Sequence, residues 1–354
     1  MKGKKPRVLK KTPAELGYTF PPEWHPHTAT WFSWPRPEGI SFPGKYHTVP
    51  ENLAQIMCEI QAREQVHVNV PNENWEYIVR QQLTEHGCPT RNVFFHHIKT
   101  NESWCRDHGP AFVLKGKKAA IVDWGFNAWG GKYPPYDDDD AVPTRIAEKF
   151  KLPVAYPGIV MEGGSVEFNG AGTVLTTTDC LLNKNRNPKL SKKQIEQYLK
   201  DYYGQRHVCW LTGETEGDDT DGHIDDLARF ISPTKVVIAM EADAKDANYK
   251  VLKSARKQLD KLRDQDGRPF EIIEIPMPGP VVHDGQRLPA TYVNFYFVNG
   301  ALLVPTYRDR KNDRRAIEIL QSHLPKHEVI GIDCTELIWG LGAIHCLTQQ
   351  QPKW

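Results

Sequence analysis

The feature that most constrains this chain is a recurrence: polar, glycine-containing segments that each open a β-hairpin. They begin near residues 107, 162, 223, 292 and 343, spaced by roughly 50–70 residues, a long module period. Asp107-His108-Gly109-Pro110 precedes a hairpin at 111–114 and 119–123, joined by Lys115-Gly116-Lys117-Lys118. Glu162-Gly163-Gly164-Ser165 opens a second at 166–168 and 173–177, turning at Asn169-Gly170. A third, at 222–230 and 235–240, turns at Ser232-Pro233, and a fourth, at 292–298 and 301–305, at Asn299-Gly300. Gly and Asn at these points supply the backbone conformations that tight turns need.

Helical periodicity follows each hairpin, at 141–150, 191–203, 244–264 and 313–323, and a connecting strand completes each unit. The fifth unit lacks a hairpin of its own. Its predicted last strand, beginning with Ala343-Ile344-His345-Cys346-Leu347 and ending at Gln349, is paired by a strand from the other end of the chain, 28–35. Five such ββαβ units around an axis predict an α/β propeller, with the opening residues at one end of a shared centre. Asp107, Glu162, His223, Asp225 and Cys346 then become neighbours despite their separation. Residues 1–354 are read as one catalytic unit, with 1–23 as an N-terminal arm and its basic start frayed and solvated.

Composition narrows the function. The 354 residues are 39 % hydrophobic and 25 % charged, with net charge +1, which argues against a general nucleic-acid binder. No run reaches the 18 or so apolar residues of a membrane span, and Lys2-Gly3-Lys4-Lys5-Pro6-Arg7 is not followed by the apolar core of a secretory signal. Seven cysteines without a C-x-x-C pair point to a reducing, cytoplasmic setting and away from zinc ribbons. Asp137–Asp140 lacks the spacing of a calcium loop and suits the start of the helix at 141–150.

Cys346 follows a turn in which Gly340 and Gly342 allow positive φ and close backbone approach. Thr220-Asp221-Gly222-His223-Ile224-Asp225-Asp226 offers a base and carboxylates at strand spacing. Each residue alone has a plainer reading: a buried cysteine, a core histidine, turn-forming acids. Together they are a nucleophile, Cys346, and a base, His223, among three acids. Orienting one histidine takes one acid, and anions beside a thiol raise its pKa unless a cation arrives. The excess suits a substrate that is itself cationic and rich in N–H donors, and a guanidinium fits facing carboxylates best. Attack by a thiol at its central carbon is deiminase chemistry. Cys105, close to Asp107, is the rival nucleophile; Cys58, Cys88, Cys180, Cys209 and Cys334 are read as packing residues.

Trp104-Cys105-Arg106-Asp107-His108-Gly109-Pro110, Phe126-Asn127-Ala128-Trp129-Gly130-Gly131-Lys132-Tyr133, Glu162-Gly163-Gly164-Ser165, Cys180-Leu181-Leu182-Asn183-Lys184-Asn185-Arg186-Asn187-Pro188, Thr220–Asp225 and Ile344-His345-Cys346-Leu347-Thr348-Gln349-Gln350-Gln351-Pro352 occur in an order that resembles the agmatine deiminase family. That family belongs to the guanidino-group-modifying, pentein-fold enzymes, near the bacterial peptidylarginine deiminases. The resemblance spans nearly the whole chain. It implies a five-module pentein propeller, no cofactor, a homo-oligomer and hydrolysis of agmatine in putrescine biosynthesis. By motif it gives Cys346 the attack on the guanidinium carbon and Asp107 and Asp225 the grip on its nitrogens. His223 becomes acid for ammonia and base for water, and Glu162 orients His223. Trp104 walls the pocket and Trp129 stands at its mouth. Asn183–Pro188 is read as a structural turn.

One departure stands out. The family's Gly-Gly-Gly-Asn before Ile-His-Cys is Gly340-Leu341-Gly342-Ala343 here, which removes an amide near the nucleophile. Other readings remain open: deimination of arginine, peptidyl-arginine or methylated arginine, amidinotransfer, or a non-catalytic binding protein. An arginine substrate calls for Lys or Arg at the mouth, whereas the amine of agmatine calls for acids or aromatics.

Overall fold

The computed structural model describes residues 5–354. Four three-stranded sheets share one plan: an antiparallel hairpin, then a third strand parallel to its second. Ala111–Lys115 pairs with Lys118–Val122 and then Val154–Ala155; Val166–Phe168 with Thr173–Thr177 and then His207–Leu211. Ala228–Phe230 pairs with Lys235–Met240 and then Glu271–Pro276; Tyr296–Val298 with Ala301–Thr306 and then Glu328–Asp333. Because parallel strands need a long crossover, a helix sits between the second and third strands, as Lys192–Tyr203 and Asn248–Leu259 do. The chain ends build the fifth sheet. Gln349–Pro352 runs antiparallel to His27–Ser33, which is followed by parallel Gln65–Val70 and Val93–His97.

Local chemistry explains the elements. Ser191 and Gln194 form the capping box that starts Lys192–Tyr203, which buries Ile195, Leu199 and Tyr203 along one stripe. Val236, Val237, Ile238 and Ala239 are all fully buried, as expected for a strand covered on both faces. Each large aliphatic side chain so buried contributes about 1.5–3 kcal/mol.

Of the N-terminal arm, residues 1–4, which include part of the basic start read as frayed, lie outside the described residues, and 5–23 are bound to the body. Leu9 N–H bonds to Val154 O, Thr19 pairs with Leu114, and Phe20 and Tyr18 are buried. Aromatic anchors hold the segment down.

Two predicted strands are helical turns. Ile224–Asp226 is a 3-10 turn, and the strand begins only at Ala228. Asp218 accepts from Thr220 N and Gly222 N and curls the chain first. Ile344–Leu347 is one helical turn, with the strand at Gln349–Pro352. There Asn294 Oδ1 takes the N–H of His345 and of Cys346, the groups a strand would offer to its neighbour. The third-unit helix is also shorter than expected, Asn248–Leu259, and the fourth hairpin starts at Tyr296.

The acidic run braces the first module. Asp138 pairs with Lys99 and Arg145, Asp139 accepts from Asn101 N and Glu102 N, and Asp140 accepts from Phe126 N.

Candidate active site

Asp107 lies on the helical turn Cys105–His108, Glu162 just before the turn Gly163–Ser165, His223 just before Ile224–Asp226, and Cys346 on Ile344–Leu347. These are equivalent points of four modules, so the repeat brings them to the axis. All five predicted residues, with Asp225, are buried. His223 Nδ1 stands 3.8 Å from Asp107 Oδ1 and 3.9 Å from Asp225 Oδ1. Cys346 Sγ stands 3.8 Å from Asp225 Oδ2. Glu162 presents a carboxylate oxygen within 4.8 Å of a His223 ring nitrogen and of the Cys180 thiol. Glu162 Oε2 and His223 Nε2 both lack a hydrogen-bond partner, so the two residues meet without bonding.

A cavity of 260 Å³ opens above this cluster and has Cys346, Asp107, Trp104 and Trp129 in its wall. Trp129 does more than edge the mouth: its Nε1–H donates to Asp107 Oδ2 at 3.0 Å. Asp107 Oδ1 accepts from Gly164 N at 2.9 Å, which fixes that carboxylate on both oxygens. Trp104 Nε1–H donates to Ser41 Oγ.

The glycine-rich turn works by proximity. A Cβ on Gly342 would come within 2.5 Å of Trp104 Cζ3, and one on Gly340 within 2.5 Å of Phe42 Cε1. Neither glycine has positive φ; that conformation falls on Leu341, at φ 68°. Leu341 also lines the cavity. A left-handed leucine is a strained residue at a functional turn.

Burial, then the charges of Asp225, Asp226 and Asp107, push the Cys346 thiol well above its usual range, against a hydrogen bond from Asn294. Burial also pushes Asp107 up to about 6; His223 opposes, while Asp225 and Glu162 add to the rise. Asp225 goes the other way. Burial raises it, but the hydrogen bond and charge of His345 and the charges of His223 and Arg229 hold it below the usual carboxylate range. The free site is therefore anionic around a neutral thiol, a field that a bound cation would reverse. Cys105 does not line the cavity, and burial pushes its thiol up to about 12.

Several residues escaped the sequence reading. Asn294 Nδ2 donates to Cys346 Sγ at 3.1 Å and to Asp226 Oδ1 at 3.0 Å. An amide therefore does face the nucleophile, from the fourth module's opening segment, and the recurrence near 292 was the signal for it. Arg186, within the turn read as structural, donates Nε to Glu162 Oε1 and Nη1 to Asp221 Oδ2. Asn187 serves the turn, bonding both N–H and O of Val160, whereas the Asn185 amide donates to Asp221 Oδ2 and accepts from Arg186 Nη1. Glu23 and His345 form a buried chain to Asp225. Nothing in the sequence marked Glu23.

A family model for Porphyromonas-type peptidyl-arginine deiminase matches residues 19–352. The chain belongs to this family. It is 37 % identical to an agmatine deiminase of Medicago truncatula, covering 97 % of this chain and 99 % of that one. An agmatine deiminase of Pseudomonas syringae pv. tomato is 38 % identical, covering 98 % of each. Among solved structures, the Enterococcus faecalis agmatine deiminase superposes with a TM-score of 0.90 at 32 % identity, covering 98 % of this chain and 99 % of that one. A C. jejuni agmatine deiminase with substrate bound gives 0.86 at 33 % identity, covering 94 % and 96 %. Membership of this deiminase family makes the chain a hydrolase of amidine C–N bonds with the pentein fold, as the residues and their resemblance implied. No helix among the described residues is long and apolar enough to cross a membrane.

Proposed function

We propose that this chain hydrolyses agmatine to N-carbamoylputrescine and ammonia. The observation that carries the choice of substrate is the cavity wall: it includes Glu102, Asp219, Tyr133 and Trp339, and no lysine or arginine among the described residues. Lys132, close by, is engaged by Asp219 and Asp221. An amine tail suits such a mouth; the carboxylate of free arginine does not.

In this reading Asp107 and Asp225 hold the guanidinium, whose charge favours transfer of the Cys346 thiol proton to His223. Sulfur adds to the central carbon, and the C–N bond to an amino group breaks as His223 gives that nitrogen a proton, releasing ammonia. The carbon stays bonded to sulfur as an S-alkylthiouronium. Water then adds to this carbon while His223 takes its proton, and the C–S bond breaks to leave the urea and the thiolate. Glu162, pinned by Arg186, faces His223 and orients it. Trp104 walls the guanidinium. The resemblance also carries cytoplasmic placement, which fractionation of cells would test, and self-association, which sedimentation of the purified protein would test.

The deciding experiment measures ureido product from agmatine, free arginine and arginine-terminated peptides. The expected result is the highest kcat/KM for agmatine. A higher value for arginine or a peptide would replace the substrate and keep the deiminase chemistry.

A further inference from the structure

The residues behind the site form a chain of their own. His345 Nδ1 lies 2.6 Å from Asp225 Oδ2, and His345 Nε2 lies 2.8 Å from Glu23 Oε2. Glu23 is fixed in turn: its Oε1 accepts from Phe297 N at 2.9 Å and pairs with Arg229 Nη2 at 3.0 Å, and its Oε2 pairs with Arg106 Nη2 at 3.2 Å. These partners come from the N-terminal segment and from the first, third, fourth and fifth modules. The chain therefore ties the closed ring together at its axis, immediately beneath the nucleophile.

We propose that Glu23 and His345 are positioning residues that hold Asp225 in the orientation needed to grip a guanidinium, an inference that rests on the deiminase reading above. A carboxylate with one oxygen held at 2.6 Å cannot swing, so its other oxygen is aimed. That other oxygen, Asp225 Oδ1, is buried without a hydrogen-bond partner and faces His223, which leaves it free for a substrate N–H. A rigid imidazole held at both nitrogens passes the constraint from Glu23 to Asp225. Stability alone does not explain the arrangement. Burying two carboxylates, two guanidinium groups and an imidazole is expensive, and an apolar plug would stabilise the axis as well or better. The N-terminal segment thus reaches the reaction centre without touching substrate.

The test compares Glu23→Gln and His345→Gln with Glu167→Gln. Glu167 shares the same buried arginine, with Oε2 2.9 Å from Arg229 Nε, but does not bond His345. Glu23→Gln and His345→Gln should each lower kcat/KM for agmatine about tenfold or more, mainly through KM. Glu167→Gln should keep kcat/KM within about threefold. Asp225 is faced by His345, His223, Asp107, Asp226, Cys346 and Arg229. Losing the His345 donor removes one of the influences that keep Asp225 ionised, so in His345→Gln the protonation of Asp225 should join that of Asp107 and steepen the acid-side fall of kcat/KM, while Glu167→Gln keeps the wild-type profile. Wild-type KM and pH profile in His345→Gln would overturn the relay, as would an equal kinetic loss in Glu167→Gln. If Glu23→Gln does not fold, His345→Gln decides alone. Failure of the wild type on every guanidine would instead count against the proposed function.

Discussion

Gly164 leaves no room for a side chain against His223. A Cβ at position 164 would stand 2.6 Å from His223 Nδ1, 2.8 Å from Asp107 Oδ1 and 3.1 Å from Asp225 Oδ2. The second module's opening turn is thus the surface on which His223, Asp107 and Asp225 converge. Its Cα–H supplies a wall without displacing any of them.

Gly164→Ala should therefore cost activity far more than its single methyl suggests. Pushing His223 or Asp107 aside by a fraction of an ångström should lower kcat/KM on the order of 100-fold, with a stability loss of about 1–3 kcal/mol from overpacking. Steady-state kinetics and thermal melts check this. Wild-type kcat/KM in the variant would mean that the residues yield freely.

Asp107 is held at about 6 by burial, so its ionisation in the fold is unfavourable. Its folded pKa is raised, so at pH 8 its charge costs roughly 3 kcal/mol of stability, a cost that fades as pH falls from 6 towards the unfolded value near 4. Asp107→Asn should then be at least as stable as wild type at pH 8, even after about 1–2 kcal/mol lost where Trp129 Nε1 loses an acceptor. It should also lose more than about 1,000-fold in kcat/KM, since a neutral amide cannot pair with a guanidinium. In the wild type, kcat/KM should fall as pH drops below about 6. A clearly lower melting temperature for Asp107→Asn at pH 8 would contradict this account.

Cys346→Ala should abolish turnover and still bind agmatine, because Asp107 and Asp225 carry the cation. Calorimetry on the variant reads binding, and a ureido-product assay reads turnover. His223→Ala should be crippled in both steps; an adduct on Cys346 in the quenched enzyme, seen by intact-mass spectrometry, would confirm acid–base work by His223. Turnover by Cys346→Ala would end covalent catalysis at this residue.

Leu341 holds a left-handed φ of 68° where it lines the cavity. Leu341→Gly should relieve about 1 kcal/mol of backbone strain in the fold, although the more flexible unfolded chain offsets part of that gain. It should also widen the cavity and raise the relative kcat/KM of guanidines bulkier than agmatine by several-fold. An unchanged preference across the substrate panel would assign Leu341 to the turn alone.

The sequence by itself determined the modular plan and the candidate reacting groups. Turn residues such as Asn169-Gly170 and Asn299-Gly300, the capping box at Ser191 and the apolar run at 235–240 act locally, so they can be read without knowing the fold. The recurrence of opening segments then placed Asp107, Glu162, His223, Asp225 and Cys346 at one centre. What only the tertiary structure decided depends on contacts between distant segments. Asn294 curls the Cys346 segment into a helical turn by taking its N–H groups, so local β pattern lost to a side chain from another module. Arg186 pins Glu162 from 24 residues away. Glu23, at the end of the lysine- and proline-rich N-terminal segment, is carried to the axis because Tyr18 and Phe20 bury beside it. There it meets two arginines and a histidine from three other modules. No local pattern encodes such a meeting, because each partner satisfies its charge only once the ring has closed.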